Sequence, residues 1–257
     1  MKTIMSWNVN GLRPRCEKNE FTAIFRDGPD IVCIQEAKTS KEKIPAMVRQ
    51  LPGYHISCAP VPEGEFNEVM IISKERPRAL THGFGIPEFD DEGRVVIADF
   101  VTFILVNCYF PLGVGHDDML GHKLAFFDAF LACAEDLAAT GRPIVLAGDF
   151  SIAHTDDDVG RVKKHAARHV GTTREERERL DALVRLGYSD AFRLFVSGTG
   201  HFSWWPNGFH KSEREVPGRR LDYFFVNGTA RPLVSHCSVM VDIEGSDHCP
   251  VRIDLSL

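Results

Sequence analysis

Eight short apolar runs punctuate the chain, at residues 3–7, 31–34, 69–73, 95–100, 102–108, 144–147, 221–226 and 251–255. They are four to seven residues long and often β-branched, a pattern that suits strands buried in a sheet. Several of them stop at a carboxylate or carboxamide. The first leads into Asn8-Val9-Asn10-Gly11, the second into Gln35-Glu36, and the sixth into Gly148-Asp149. Arg220-Leu221-Asp222-Tyr223 opens another, and Gly245-Ser246-Asp247-His248-Cys249-Pro250 precedes the last. Strand ends at one sheet edge converge in space. Asn8, Asn10, Glu36, Asp149, Asp222, Asp247 and His248 are therefore expected to line one pocket.

Taken singly, an Asp or Asn after a strand is usually a turn or a helix cap. Seven such residues together are harder to assign that way, because buried carboxylates at close range repel unless a cation neutralises them. The set is rich in hard oxygen donors, which suits Mg²⁺ or Mn²⁺; Zn²⁺ would want more His or Cys.

Helical periodicity is clearest after Asp117, where Leu120, Leu124, Phe127, Leu131, Ala134 and Ala138 keep a three-to-four spacing until Gly141-Arg142-Pro143. A second helix is expected over 174–186, capped by Thr172 or Thr173, with Gly187 just past its end. Strands alternate with helices early and late, and consecutive strands fill 54–108. This predicts an α/β layered sandwich in a single domain, 1–257, with the topology left open. At 44% hydrophobic and 26% charged, the composition argues against disorder. No apolar run reaches the roughly 18 residues of a membrane span, and the first residues lack the apolar stretch of a signal peptide. Seven cysteines without a Cys-x-x-Cys pair read as reduced core thiols, so a cytoplasmic location is expected.

With 30 Lys+Arg against 36 Asp+Glu, the formal charge is −6. That argues against holding nucleic acid by bulk charge alone. Local patches tell differently. Residues 161–177 carry six Lys/Arg, among them Lys163, Lys164 and Arg168, against Glu175 and Glu176. Trp204-Trp205-Pro206-Asn207 is followed by Lys211, Arg214, Arg219 and Arg220. Either that segment is a stacking and phosphate-binding loop, or one Trp packs in the core beneath solvated charges. The acidic runs 88–92 and 156–158 are expected as solvated turns away from any substrate. His55, His116, His122 and His236 have no ligand-like spacing.

The ordered blocks Trp7-Asn8-Val9-Asn10-Gly11-Leu12-Arg13, Gln35-Glu36, Glu92-Gly93-Arg94, Tyr109-Phe110-Pro111, Gly148-Asp149-Phe150, Arg220-Leu221-Asp222-Tyr223-Phe224 and Gly245-Ser246-Asp247-His248-Cys249-Pro250 resemble the exonuclease III class of abasic-site DNA endonucleases. That class belongs to the endonuclease/exonuclease/phosphatase superfamily, and the likeness runs from Thr3 to Leu255. The run 83–100 and Trp204-Trp205 look most like archaeal members, some of which also incise at deoxyuridine. The resemblance implies a four-layer α/β sandwich, two mixed sheets face to face and flanked by helices, with the site at one edge. It implies Glu36 as the principal Mg²⁺ (or Mn²⁺) ligand, with Asn10 and Asp247 as further or water-mediated ligands. Asp149 would orient or deprotonate the attacking water. His248, held by Asp222, would bind the scissile phosphate, which Asn8 and Tyr109 would position.

Departures from the family pattern bear on the same site. Gly148-Asp149-Phe150-Ser151 stands where Gly-Asp-x-Asn is usual, so Ser151 replaces a carboxamide. Leu112 replaces an Asn after Tyr109-Phe110-Pro111. Phe66-Asn67-Glu68 stands for Tyr-Ser-Gly, and Lys163-Lys164-His165-Ala166-Ala167-Arg168-His169 for a segment with two Asn. Arg219 replaces a Trp that would wall the sugar pocket with Trp204, next to Leu221.

The expectation is a monomeric, Mg²⁺-dependent endonuclease acting on double-stranded DNA at abasic or other damaged sites, cutting 5′ to the lesion and leaving a 3′-hydroxyl. A 3′→5′ exonuclease or 3′-phosphodiesterase activity, or incision at deoxyuridine, is an accompanying expectation. The alternatives are a damaged-DNA-binding homologue with weakened or lost catalysis, and a non-DNA phosphodiesterase or phosphatase of the same superfamily. Intact Glu36, Asp149, Asp222, Asp247 and His248 favour the enzyme. A nucleoid-associated, membrane-free setting follows from that reading, with binding that salt weakens steeply.

Overall fold

The structure, a computed structural model, describes residues 1–58, 67–114, 118–160, 171–206 and 218–257. The expectations placed on Phe66, His116, Lys163, Lys164, Arg168, Lys211 and Arg214, and on the Glu68 side chain, lie outside it.

In chain order the elements begin with β1 (Lys2–Asn8), α1 (Leu12–Glu17), β2 (Ile31–Thr39), α2 (Ala46–Arg49), β3 (His55–Cys58) and β4 (Asn67–Ser73). Next come β5 (Ala79–His82), α3 (Pro87–Asp90), β6 (Val95–Asp99), β7 (Ile104–Tyr109), α4 (Met119–Ala139) and β8 (Ile144–Asp149). The chain continues through α5 (Arg174–Arg185), β9 (Ser189–Asp190), β10 (Asp222–Val226), β11 (Val234–Val239) and β12 (Val251–Leu255). Two six-stranded sheets result, ordered β11-β12-β1-β2-β4-β3 and β5-β6-β7-β8-β10-β9.

Each sheet is mixed in the same way. β1 and β2 run parallel at the centre of one, β7 and β8 at the centre of the other, and their neighbours are antiparallel. This arrangement explains why the polar residues meet. β1, β7 and β8 end in Asn8, Tyr109 and Asp149, and Gln35-Glu36 stand in β2 at the level of Asn8, where the pairing of β1 with β2 stops. β10 is antiparallel to β8 and begins at the same level, with Asp222 opposite Asp149. β12 is antiparallel to β1, so the segment before Val251 lies beside the end of β1.

Three apolar layers separate four layers of structure. One lies between the sheets and holds Ile4, Cys33, Ile71, Val96, Leu105, Val145, Phe224 and Ile253. A second joins the outer face of one sheet to α4 and α5, through Leu146, Phe127, Phe130, Leu180 and Leu183. The third packs α1 on the other sheet, through Trp7, Val32, Ile34, Leu12 and Cys16. Alternation along β2 (Cys33 inward, Val32 and Ile34 outward) shows both faces buried, which is why these strands read as continuous apolar runs.

α4 corrects one expectation. Its buried face is Lys123, Phe126, Phe127, Phe130 and Ala134, so Leu120, Leu124, Leu131 and Ala138 are only half-buried. Phe126 and Phe130 rotate inward because their rings fill the space around Phe110, with Phe150 also against Phe130. α5 follows the expectation closely, with Thr173 as its N-cap in a capping box with Glu176.

The acidic run 156–158 is also corrected. Asp158 is 0% exposed and takes hydrogen bonds from Arg220 (2.8 Å) and Arg193 (2.5 Å). Arg220 reaches Asp190 as well, at 2.6 Å, and stacks over Tyr223 and Phe192. An Arg this buried needs every carboxylate it has. It is therefore a structural hub rather than a phosphate contact. Asp156 pairs with Arg177 at 2.8 Å, and Glu92 with Arg94 and His122, so neither acidic run is simply solvated.

Candidate active site

Buried polar side chains tie the two sheets. Asn107 Nδ2 donates to the Ile34 and Met70 carbonyls at 3.0 Å and 2.9 Å, and at the common edge Asn8 joins the sheets. Asn8 is fully buried, and its Nδ2 donates to Glu36 Oε1 at 2.8 Å and to Asp149 Oδ2 at 2.9 Å. Its Oδ1 accepts from the Asn10 backbone N–H at 3.0 Å. One carboxamide thereby fixes the end of β1, a carboxylate of β2 and a carboxylate of β8.

Backbone conformation aims these groups. Of the non-glycine residues with positive φ, Asn10 (44°), Glu36 (49°), Lys38 (48°) and Ser151 (51°) all stand at this edge. The pairing of β2 with β4 shifts register between Gln35 and Thr39, so Glu36 and Lys38 sit in an irregularity that re-aims side chains. A left-handed non-glycine residue costs roughly 1–2 kcal/mol, and such strain gathers where geometry serves function.

Asp149 is 2% exposed, and its Oδ1 accepts from the Ser151 N–H at 2.7 Å and the Ser151 hydroxyl at 3.2 Å. Burial and the neighbouring Asp222 push its carboxyl up to about 7, against the pull of His248 and Asn8. His248 Nε2 lies 3.8 Å from Asp149 Oδ2, and Nδ1 is hydrogen-bonded to Asp222 Oδ2 at 2.9 Å. Burial alone would lower the imidazole, but Asp222, Asp149 and Asp247 overcome it and carry it up to about 10. The site thus pairs a carboxylate of near-neutral proton affinity with a lasting imidazolium.

Asp247 Oδ1 accepts from Asn10 Nδ2 at 3.1 Å, and Oδ2 from Trp204 Nε1 at 3.0 Å. Trp204 also bridges in backbone pairing to both Arg219 and His248, and the Arg219 guanidinium lies 5.4 Å from its ring centre. Tyr109 is 7% exposed under the Arg94 guanidinium. Leu221 is buried and gives its N–H to the Ser203 hydroxyl at 3.0 Å, so it supports the site from within. Leu112 is exposed at the margin.

Two residues at the site carried no signal in the sequence. Lys38 places its ammonium 2.6 Å from Glu36 Oε2 and 2.9 Å from Asn10 Oδ1. Burial raises the Glu36 carboxyl, and the hydrogen bonds from Lys38 and Asn8 bring it below its ordinary value. A lysine four residues beyond a strand's apolar run reads as an exposed strand residue until the irregularity in β2 is seen. Ser203 donates to Asp222 Oδ2 at 2.6 Å while accepting from the N–H groups of Leu221 and Asp222. Ser203→Ala would leave buried partners unsatisfied, costing about 1–3 kcal/mol. A lower Tm and a kcat reduced through a loosened Asp222–His248 pair are expected; unchanged kcat would show that Asp222 needs no such support.

The donor chemistry fits a divalent cation. Glu36 and Asp149 bring carboxylate oxygens, with the His248 ring beside them, within 4.8 Å of one another. The protonated imidazole keeps no lone pair for a metal, so the carboxylates are the donors. Asn10 Nδ2 donates to Asp247, and Lys38 links Asn10 to Glu36. The Asp149 carboxyl is raised chiefly by its burial, with Asp222 and Glu36 adding to it, and a cation bound here would favour its ionised form.

Comparison with known proteins agrees. The Endonuclease/Exonuclease/phosphatase family matches residues 5–248. The chain is 35% identical over 251 residues to Recombination repair protein 1 of Drosophila melanogaster, covering 97% of this chain and 36% of that one. It therefore spans about a third of that relative's length. It is 33% identical over 257 residues to DNA repair nuclease APEX1 of Danio rerio, covering 99% and 82%. Among solved structures, a 3′-5′ exonuclease (NExo) from Neisseria meningitidis superposes with a TM-score of 0.87 at 26% identity, covering 99% of this chain and 100% of that one. The two mixed sheets, the shared polar edge and these matches lead to one conclusion: the chain belongs to the endonuclease/exonuclease/phosphatase family.

Proposed function

We propose that this is a DNA repair nuclease that hydrolyses the phosphodiester 5′ to an abasic site and leaves a 3′-hydroxyl, working as a single-domain monomer. The observation that carries the reading is the buried Asp149 beside the His248–Asp222 pair, 3.8 Å from the imidazole. Hydrolysis of a phosphodiester needs a base for water and positive charge on the non-bridging oxygens. Asp149 Oδ2 takes the proton, and Ser151 fixes the other oxygen so that the carboxylate keeps its aim. His248 Nε2 donates to the phosphate, with Asp222 holding the imidazolium. Tyr109 positions that phosphate, and Asn8 acts on it through the two carboxylates it holds, Glu36 and Asp149.

Glu36, with Asn10 and Asp247 beside it, would hold Mg²⁺ or Mn²⁺, an assignment supported by the oxygen-rich donor set. Such an ion when bound supplies Lewis acidity at the phosphate oxygens. Trp204 and Arg219 would wall the abasic sugar, the stacked guanidinium standing in for a second aromatic face. Lys163, Lys164 and Arg168 would add phosphate contacts along the duplex. No described helix is long and apolar enough to cross a membrane, and we place the protein on nucleoid DNA in the cytoplasm.

Incision of a labelled duplex panel bearing an abasic site, deoxyuridine, a blocked 3′-end or an undamaged 3′-end, together with a bare phosphomonoester, tests this reading. Fastest Mg²⁺-dependent cutting 5′ to the abasic site is expected. Binding of the abasic duplex without cutting would instead make the protein a damage-binding homologue. Ser151→Asn is expected to raise kcat up to about 10-fold, since a carboxamide reaches farther than a hydroxyl held on Asp149. Unchanged or lower kcat would mean that the site is built around serine.

A further inference from the structure

Behind Asp149 lies a buried ion pair that the reaction above does not use. Lys123 on α4 and Glu176 on α5 have side chains 0% and 2% exposed, with Lys123 Nζ 2.7 Å from Glu176 Oε1. Glu176 Oε2 accepts from the Thr173 N–H at 3.0 Å, so the same carboxylate caps α5. Burying such a pair is expensive unless its other hydrogen-bonding capacity is met, and two apolar side chains would pack these helices as well.

The second bond of the ammonium shows where the pair points. Lys123 Nζ donates to the Ser151 carbonyl at 2.7 Å. Ser151 is the left-handed residue (φ 51°) whose N–H and hydroxyl both hold Asp149 Oδ1. The neighbouring backbone is closed around this carbonyl. A Cβ on Gly171 would stand 2.2 Å from the Ser151 oxygen, and the Gly171 carbonyl accepts from the Ala153 N–H at 2.8 Å. On the far side, a Cβ on Gly113 would come within 2.9 Å of Glu176 Oε1 and 3.2 Å of the Lys123 stem. Both glycines leave room for the pair and the turn to meet.

We propose that Lys123, held by Glu176, is a positioning residue for Asp149: its ammonium anchors the Ser151 carbonyl and so maintains the left-handed turn that aims the carboxylate. An unanchored serine would relax from that conformation and carry its N–H away from Asp149. The proposal deepens the hydrolytic reading and rests on it for the role of Asp149, but the anchoring itself can be read without any reaction.

The test is the double substitution Lys123→Met with Glu176→Gln, which removes both charges together while Gln retains an oxygen for the Thr173 cap. In the folded variant the Ser151 amide proton, followed by NMR, is expected to exchange about 10-fold faster or more, with Leu146 inside β8 unaffected. On the abasic duplex, kcat should fall about 10-fold or more with KM held within about twofold, as displacement of a catalytic group predicts. Unchanged Ser151 exchange, or parental kcat in the folded variant, would overturn the proposal. A parent protein that leaves the duplex uncut would overturn the hydrolytic reading, and the exchange result would still decide the anchoring. Should the double variant not fold, Lys123→Leu with Glu176→Gln, which also removes both charges together, is read by the same exchange and kcat–KM criteria.

Discussion

Asp149→Asn is expected to lower kcat by roughly 10³-fold or more while the protein stays folded. The carboxamide keeps an oxygen for Ser151 but has no lone pair with the proton affinity that Asp149 owes to its burial. Two changes in stability oppose each other: a buried charge is removed, while the new amide NH2 faces the Asn8 donor that Asp149 Oδ2 accepts from. Folding lifts the Asp149 carboxyl above its ordinary value, so this group opposes folding increasingly as the pH rises from the ordinary carboxylate range to about 7, and fully above it; Asn removes that opposition. The unaltered protein should show the same group in its rate–pH profile. As the pH falls, Asp149 takes up a proton and the rate declines on the acid side. A divalent cation beside it favours the carboxylate, so raising the cation concentration should move that limb to lower pH. An Asp149→Asn protein that cuts at the parental rate would remove the base from the mechanism.

Glu36→Gln is expected to reduce kcat/KM by roughly 10²-fold or more at fixed Mg²⁺, with partial recovery at high cation concentration. Glu36 is the anionic group that Asn8 and Lys38 jointly orient, at 2.8 Å and 2.6 Å. Its neutral analogue keeps an acceptor for Asn8 and loses the charge. Titration of activity against Mg²⁺ distinguishes a cation-binding group from a structural one, because the latter would lower activity without moving the midpoint. An unmoved midpoint would exclude Glu36 as the principal donor.

How much of this was legible in the sequence follows from burial. The eight apolar runs became the eight interior strands, β12, β1, β2, β4 and β6, β7, β8, β10. The strands with no such run, β3, β5, β9 and β11, are the four sheet edges among the described residues. An edge strand pairs on one side and faces solvent, so its polar residues leave no continuous apolar signal. The convergence of Asn8, Glu36, Asp149, Asp222 and His248 followed from their places at strand ends. Lys38 and Ser203 did not, because a break in strand pairing brings one inward and a three-bond hydroxyl makes the other matter. Arg220 and Asp158 looked like surface charges, since sequence cannot show that two Asp and two Arg meet across 158–220. Lys123 has no apolar signature, and the buried face it shares with Phe126 and Phe130 is turned from the Leu120, Leu124 and Leu131 spacing.

The central claim is that the buried carboxylate edge hydrolyses a phosphodiester at a DNA lesion with the help of a divalent cation. Single-turnover incision of a 5′-labelled abasic duplex, run with Mg²⁺ and with the ion chelated, tests it most directly. The account predicts one product ending in a 3′-hydroxyl immediately 5′ to the lesion, formed with Mg²⁺ and suppressed by chelation. Equal cutting with the ion chelated, or an intact abasic strand with Mg²⁺ present, would contradict it.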